Sequence, residues 1–466
     1  MLLLVLLISN SHICRAWDWW PLPMAEPDTC RDTLLYFGEF NALASTDAST
    51  PLLLNYDQQG LHSAEQFSAD LSIGIFKPAT RPNRWFDYDG AVVLTGRLQS
   101  GTQAGTGFFR ELYAHTRLYI VDVTVGIHRP SSPIGDETLT MGDLLFSANA
   151  HPIPRVTVGI DRYTSFPGLY GYLEVRGGLT HGWLRDDNPF VHNTLLHHKF
   201  IGGRIGGKLP VNITYEMHHA AQWGGESVHD GALGNDWQAY RNVFIGKSGG
   251  TLSNEVLNAQ GNHLVSQMLC LTAKGHGWHV DLYWQNLQED GKIRFLGCGQ
   301  NAKDGRWGIH AAQSYWPYIS GLTLEFVNTT DQSGPFHDRD GMVFGGADNY
   351  YSNSVYEQGW TYYGRMIGFP LCSPQASRVI AWYGGVKGNI FGFCYRLIAQ
   401  HSRHYGTYQQ PQSAHNTGIL LDVSRHVKQA WGMDFGVRLA TDFGNCYGNH
   451  FGALITVRKC GIIKDY

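Results

Sequence analysis

Strict alternation of apolar and polar side chains recurs along most of this chain and constrains its fold more than any other feature. In residues 119–128, Tyr119, Val121, Val123, Val125 and Ile127 fall on one face. Successive side chains of a β-strand point to opposite faces, so a period of two predicts strands. The same pattern recurs in residues 171–183, 210–223, 277–287 and 430–442. The sequence therefore predicts an all-β protein.

The two faces of these strands differ in a way that favours a membrane barrel over a soluble sandwich. The polar faces carry charges in mid-strand, at Glu174, Arg176, Glu216 and Asp281, as a wet lumen requires. The apolar faces carry aromatic rings toward their ends, namely Tyr119, Trp223, Trp278 and Trp284. Aromatic girdles of this kind mark both interfaces of a transmembrane barrel.

Strand count and loop lengths support the same fold. We mark 18 strands between residues 69 and 460, including one at 137–148. From residue 171 on, short turns alternate with longer connections, so that the longer loops emerge on one side. These are loops 184–195, 224–262, 288–307, 331–375 and 403–415. We therefore predict an outer-membrane β-barrel of about 18 antiparallel strands, with a few short helices near the N-terminus and in loops.

The N-terminal region is predicted in three parts. Residues 1–16 resemble a secretory signal with the apolar run Leu2–Ile8. Residues 17–68 form an N-terminal segment and possible plug, in which residues 28–44 read as an amphipathic helix capped by Asp28 or Thr29. The barrel would occupy residues 69–466.

Composition limits the function. Charged residues make up 16% of the chain and the net charge is −4, with no basic stripe, so no nucleic-acid partner is expected. The eight cysteines are widely spread without a C-x-x-C pair, so neither a disulfide framework nor a zinc site is expected. No cofactor or metal is predicted.

The segment YYSNSVYEQGWTYYGRMIGFPL, residues 350–371, is the most unusual stretch of the chain. It concentrates aromatic rings beside polar side chains in the longest predicted outer loop. Rings can stack on the apolar faces of sugars while polar groups bind hydroxyls, and arginine can pair with acidic sugars. The candidate polysaccharide contacts are Tyr350, Tyr351, Trp360, Tyr362, Tyr363 and Arg365, with Asp348, Asn349 and Gln332 as polar partners. The alternative is a loop whose rings only pack on themselves.

Several blocks of the sequence resemble the Wzi family of capsule assembly outer-membrane proteins. They are the 350–371 segment, LLFSANAHPIPRVTVGI, LPVNITYEMHHAAQWGG, EDGKIRFLGCGQNAKDGRWGI and EFVNTTDQSGP. The likeness runs from about residue 54 to the C-terminus. It implies an 18-stranded outer-membrane barrel with helical elements near or inside it. It also implies a lectin-like, non-catalytic protein that anchors or assembles capsular or exopolysaccharide at the cell surface, surrounded by outer-membrane lipid.

Other motifs are weaker. GKSGG, residues 246–250, matches an esterase elbow by letter but lies in a glycine-rich loop. The adjacent pairs His197–His198 and His218–His219 should point to opposite sheet faces, so neither pair is suited to one metal. Residues 234–247 read as a loop helix packed over the barrel mouth. The loop carboxylates Glu289–Asp290, Asp338–Asp340 and Asp348 leave hydrolysis or calcium binding open.

The function predicted from the sequence is therefore polysaccharide binding at the outer membrane without catalysis. The alternative is a porin or diffusion channel, because the lumen-facing charges also suit an open pore. The two functions predict different single-channel conductances. A large, steady conductance would favour the porin.

Overall fold

The chain forms one closed β-barrel in the computed structural model, which describes residues 33–56, 58–79, 85–101, 105–129, 135–166, 168–249, 252, 259–289, 301–339, 342–343 and 346–465. The 18 barrel strands are β1 Thr33–Ser49, β2 Glu65–Lys77, β3 Phe86–Gln99, β4 Gly105–Leu118, β5 Val121–Ile127, β6 Pro154–Ser165, β7 Leu173–Leu184, β8 Thr194–Ile205, β9 Val211–Trp223, β10 Asn262–Gly275, β11 Trp278–Glu289, β12 Gly305–Gln313, β13 Gly321–Asn328, β14 Val379–Ile390, β15 Phe393–Gly406, β16 Pro411–Val427, β17 Met433–Gly444 and β18 His450–Asp465.

Each strand pairs antiparallel with its neighbours in sequence, and β1 closes the sheet by pairing with both β2 and β18. The closing register begins at Thr33 opposite Asp465, so the two ends of the barrel chain lie at the same rim. Closure removes every free strand edge, which is required of a sheet that faces lipid. The predicted 18-stranded barrel is confirmed.

Two predicted elements are wrong and offset each other in the count. Residues 33–44, predicted as part of a helix, belong to strand β1, in which Phe37, Glu39, Asn41 and Leu43 face inward. The prediction failed because a short apolar run fits the period of a helix or of a strand, and here the edge of β18 supplies a pairing partner for a strand. Residues 137–148, predicted as a strand, form an irregular segment inside the barrel. The barrel thus begins at residue 33 rather than 69. Residues 1–32, with the predicted signal and helix cap, lie outside the described residues.

The outer wall is apolar and carries two aromatic belts. At the end with short turns, six rings are strongly exposed, namely Trp85, Tyr119, Tyr170, Trp316, Phe391 and Trp431. Toward the end with long loops, Trp284, Trp307, Phe326 and Trp382 stand directly opposite one another on consecutive strands. Exposed Leu, Ile and Val side chains cover the band between. This is the surface expected of a transmembrane barrel. None of the helices among the described residues is long and apolar enough to cross a bilayer.

The upper lumen, toward the long loops, is filled by a plug formed by the described residues of segments 50–64, 135–153 and 329–378. One continuous buried cluster joins the plug to the inner wall, and it includes Leu54, Met141, Leu144, Trp360 and Phe369 on the plug side. Wall side chains also bind plug backbone. Glu325 accepts hydrogen bonds from the Met141 N–H at 2.6 Å and the Thr140 hydroxyl at 2.8 Å. The plug is therefore both packed and hydrogen-bonded to the barrel.

The lower lumen is polar. Inward-facing ion pairs join carboxylates to arginines of other strands, among them Glu39 with Arg110 and Arg458, Glu216 with Arg176, and Asp422 with Arg396 and Arg438. Glu216 and Arg176 are two of the four mid-strand charges that indicated a wet interior in the sequence. Their mutual pairing compensates charge that burial would otherwise penalise.

The helices and small sheets of the described chain lie in the plug and in the loops. Helix α1, Leu52–Asn55, lies in the plug, and helix α2, Trp237–Ile245, lies in the loop after β9. Short pairings occur at Val191–His192 with Glu226–Ser227 and Gly231–Ala232, at Asp338–Arg339 with Met342–Val343, and at Thr361–Tyr362 with Arg365–Met366. Cys394 is disulfide-bonded, whereas Cys270, Cys372, Cys446 and Cys460 are free.

Candidate functional site

Most of the predicted aromatic contacts are buried in the plug. Tyr350, Tyr351 and Trp360 have no solvent exposure, and Tyr362 retains only 3%. Their polar atoms bind other parts of the plug and its rim: the Trp360 indole N–H donates to the Leu145 carbonyl at 2.9 Å. These rings hold the 329–378 loop against residues 135–153. The hypothesis that they present faces to a ligand is contradicted, because packing them removes more apolar surface from water than exposure at the mouth would.

Hydroxyl groups extend the same network. Tyr351 donates to the Leu144 carbonyl at 2.7 Å, and its N–H donates to Glu289 at 2.6 Å. Tyr350 donates to Asp304 at 2.8 Å. Burial raises the pKa of Asp304 to about 6, although hydrogen bonds from the Gln332 and Asp331 N–H groups and from Tyr350 act in the opposite direction.

The predicted polar partners also serve the loop itself. Gln332 is fully buried and its amide donates to the Ser377 hydroxyl at 3.0 Å. Ser377 in turn donates to Asn349 at 2.9 Å. Asp348 is partly exposed and accepts hydrogen bonds from Ser333 and Asn301. These three side chains therefore stabilise the base of the loop.

One predicted contact, Tyr363, is exposed, and it lies in a hairpin turn with the partly buried Arg365. Tyr362 pairs with Arg365, so that Tyr363 and Gly364 form the two-residue tip. Tyr363 has a φ of 49° and is 52% exposed, with its N–H donating to Asp186 at 2.8 Å. Such hairpin turns require positive φ at the tip, which Gly364 supplies without strain. The hairpin thus carries Tyr363 to the protein surface.

Tyr363 is the outermost ring of a group that we call the mouth patch, formed by Arg97, Phe108, His151, Tyr363 and Arg365. The Tyr363 and His151 rings meet edge to face at 5.3 Å between centroids, and His151 meets Phe108 in the same way at 4.7 Å. The Arg97 guanidinium lies 5.6 Å from the Phe108 centroid. The patch joins the plug to the loop-end rim of strands β3 and β4.

The backbone of Gly60 lies close against the His151 ring, and this close contact makes the mouth patch possible. Gly60, at φ 64°, lies so near the His151 ring that an added Cβ would come within 2.7 Å of the imidazole Nε2. Sequence reasoning missed Arg97, Phe108 and His151, because they come from three separated segments. The only sequence signal was the block containing His151 that carries the family resemblance.

The patch is electropositive. Arg365 donates to the Asn55 carbonyl, the Asn55 amide oxygen and the His62 carbonyl, and Arg97 donates to the Gly60 and Leu61 carbonyls. All these acceptors are neutral. The Arg97 Nε is buried without a hydrogen-bond partner in the described part of the chain. Burial, with the neighbouring guanidiniums, lowers the pKa of His151 to about 3, so its ring is neutral. Two guanidiniums beside the exposed Tyr363 ring suit a ligand with acidic groups and apolar faces.

The remaining motifs gain no catalytic arrangement. Ser248 of GKSGG follows the end of helix α2, which Gly246 caps, so it is not on a strand-to-helix elbow. Glu289 and Asp348 bind loop hydrogen-bond donors, whereas Asp290, Asp340 and the Asp338 side chain lie outside what the structure describes. Within the described ranges, no group of three His, Cys, Asp or Glu side chains is placed to hold a metal ion.

Both histidine pairs split between the two faces of the wall, as predicted. His198 and His218 point inward, with their ring nitrogens 3.1 Å apart, and His218 lies 3.1 Å from Glu216. His197 and His219 point outward, and helix α2 covers His197. The prediction that α2 packs over the mouth is wrong, because its buried face rests on this outer wall.

Comparison with known proteins points to one family. The family model for the capsule assembly protein Wzi matches residues 138–441. Among solved structures, the chain is similar to Escherichia coli Wzi, described as an outer-membrane protein involved in group 1 capsule assembly and as a carbohydrate-binding β-barrel. The identity is 16%, with a TM-score of 0.58 over 91% of this chain and 84% of that one.

Two Pseudomonas aeruginosa barrels match less well. OccK2 (OpdF) is 10% identical with a TM-score of 0.49, over 92% of this chain and 98% of that one. OprD is 12% identical with a TM-score of 0.48, over 97% of this chain and 99% of that one. A comparison with curated proteins found no match.

Proposed function

Because this chain belongs to the Wzi family of capsule assembly proteins and is an outer-membrane barrel, we propose that it anchors capsular or exopolysaccharide at the cell surface by binding the polymer at the mouth patch. The binding is lectin-like and involves no bond cleavage. The observation that carries this proposal is the combination of an exposed Tyr363 ring with Arg97 and Arg365, whose hydrogen-bond acceptors are neutral.

The chemistry of the patch selects the type of sugar. The Tyr363 face can stack on the C–H face of a pyranose, while guanidinium groups favour carboxylate-bearing residues such as uronates. A guanidinium–carboxylate hydrogen bond contributes about 1.5–3 kcal/mol. One such site is weak by itself, but a repeating polymer brings many equivalent sugars to it and to neighbouring protein molecules, so avidity holds the chain.

The filled lumen supports a binding role over passage of solutes. Trp360, Leu144 and Met141 lie in one buried cluster with wall residues such as Leu264 and Leu420. Because the upper lumen is filled, the polysaccharide is expected to bind at the rim and not to pass through the barrel.

The test is binding of purified, full-length protein to surface polysaccharide from its own source cells, using Tyr363→Ala and Arg365→Gln variants. We expect each variant to bind at least tenfold more weakly, in line with loss of one stacking or charged contact of about 1.5 kcal/mol. Phe336→Ala is the matched control, because Phe336 is also 52% exposed in the same loop but lies outside the patch. Equal binding by the Tyr363→Ala and wild-type proteins would refute the assignment of the site.

The absence of chemistry is tested on the same material. Polysaccharide incubated with the protein should keep its chain length and reducing-end content. If the polysaccharide is shortened only when folded protein is present, the protein is an enzyme and the binding proposal is wrong.

A further inference from the structure

Helix α2 lies outside the barrel, on the side that faces lipid. Ala239 and Val243 of the helix pack with Leu195, Ala221 and Trp223 of strands β8 and β9. In these strands the odd-numbered side chains point outward, since their even-numbered neighbours Leu196 and Ala220 belong to the lumen cluster. The helix therefore folds back over the rim and covers the top of the outer wall.

The helix lies at the upper limit of the apolar band. Below it, the outward positions of the same two strands are exposed and apolar, at Ile201 and Ile205 of β8 and Ile213 of β9. Above that level the outward positions change to Lys199, His197 and His219. A change from aliphatic to polar side chains along a lipid-facing wall marks the level where hydrocarbon gives way to headgroups. Helix α2 is thus at headgroup height in the outer leaflet.

The free face of the helix combines apolar and cationic side chains. Trp237 is 76% exposed, and Ile245 is also exposed. Arg241 and Lys247 are exposed beside them, and Lys199 lies at the edge with its ammonium 4.1 Å from the Phe244 ring centroid. In the described portion of the chain, none of these three cations forms an ion pair with a carboxylate. Tryptophan with uncompensated cations is typical of helices that lie in a membrane interface.

The seam between the helix and the wall contains polar nitrogens without partners. Both ring nitrogens of His197, the Nδ1 of His219 and the indole nitrogen of Trp223 are buried and unbonded among the described residues. The Gln260 carbonyl lies 2.8 Å from the His263 Nε2, and the His263 Nδ1 lies 2.8 Å from the His219 Nε2. The carbonyl can only accept, so His263 Nε2 donates to it and His219 Nε2 donates to His263. The open Nδ1 of the neutral His219 ring is therefore an acceptor, whereas the Trp223 indole nitrogen is a donor.

We propose that helix α2 and the wall beneath it form a docking site for the phosphorylated headgroup of an outer-leaflet glycolipid. Lys199, Arg241 and Lys247 attract the phosphate, and Trp237 and Ile245 insert beside the acyl chains. The neutral His197 ring and the Trp223 indole each leave one N–H donor in the seam. The site lies on the lipid side of the wall and is separate from the mouth patch, so it is independent of polysaccharide binding.

Charge and position together identify this occupant. A capsular polymer approaches from above and has no apolar chains to cover Trp237 and Ile245. A phospholipid without sugar lacks the several phosphates and hydroxyls that three cations and the seam donors can engage. The phosphorylated glycolipid has both a polyanionic headgroup and acyl chains at this height.

The experiment titrates detergent-purified, full-length protein with diphosphoryl lipid A and counts bound lipid by native mass spectrometry. A variant with Lys199→Gln, Arg241→Gln and Lys247→Gln should bind about a hundredfold more weakly, since each cation near a membrane surface contributes about fivefold. The matched control replaces three exposed cations at the turn end, Lys208, Arg425 and Lys428, with Gln and should bind like the wild type. Folding of both variants is verified by heat-modifiable mobility on gels.

Two further arms make the outcome decisive. Lipid A stripped of phosphate should bind much more weakly to the wild type, and Tyr363→Ala should leave lipid A binding unchanged. Equal affinity of the helix variant and the wild type, or equal affinity for the two lipids, would overturn the proposal. Displacement of lipid A by purified polysaccharide would also overturn it, because the helix would then belong to a polymer site.

Discussion

Replacement of Trp360 by Ala tests whether the aromatic loop is the core of the plug. The Trp360 side chain is fully buried, and its N–H donates to the Leu145 carbonyl at 2.9 Å. Truncation of a buried Trp to Ala costs about 3–5 kcal/mol, including the cavity left behind. Because the barrel has its own closed hydrogen-bond ladder, this cost should fall on local opening of the plug rather than on unfolding of the wall.

Hydrogen exchange followed by mass spectrometry measures this directly. A loss of about 4 kcal/mol corresponds to roughly thousandfold faster exchange of protected amides in residues 346–372. Strand β16 serves as the internal reference and should not change. Tyr363→Ala is the matched substitution, because that ring is half exposed and should alter exchange little. Unchanged protection in Trp360→Ala, together with lost polysaccharide binding, would refute this reasoning and restore Trp360 as a contact residue.

Three other predictions concern charge and the closed lumen. Burial raises the pKa of Asp304 from 3.8 to about 6, so its contribution to stability is present below about pH 4 and is lost as the pH rises through 6. Hydrogen exchange of the 329–378 loop should therefore show up to about 3 kcal/mol more protection at pH 4 than at pH 7 from this group. The Asp304→Asn substitution should remove that difference. Polysaccharide binding at Arg97 and Arg365 should weaken with salt for an acidic polymer but not for a neutral one, as a titration over ionic strength would show. Wild-type protein in planar bilayers should show no large, steady conductance, because the plug fills the upper lumen; an open-channel signal would instead support the porin alternative.

The barrel could be predicted because its signal is repeated in every strand. Alternation with charged mid-strand positions such as Glu216 and Asp281 fixes both the strands and the inward face. The two misassigned elements had no such support. Residues 33–44 fit a helix and a strand equally well, and only the need of β18 for a closing partner decides between them. Residues 137–148 alternate like a strand, but Glu325, Gln285 and Lys387 of the wall bind them as part of the plug.

The candidate site was harder to predict than the fold. The 350–371 segment was correctly placed in the longest loop, yet sequence cannot show whether its rings face water or one another. Segment 135–153 decides this, because it supplies the carbonyls of Leu144 and Leu145 that Tyr351 and Trp360 bind. Arg97, Phe108 and His151 come together only through closure of the barrel around the plug, which no local pattern encodes.

Retention of polysaccharide by cells tests the central claim most directly. A strain lacking the gene is complemented with the wild type, with Tyr363→Ala combined with Arg365→Gln, or with Phe336→Ala, and cell-bound and released polysaccharide are measured at matched protein levels. We expect the wild type and Phe336→Ala to restore cell-bound polymer, and the double variant to leave it in the medium. Full retention by the double variant, or by the deletion strain itself, would contradict the claim that the mouth patch holds the polymer at the cell surface.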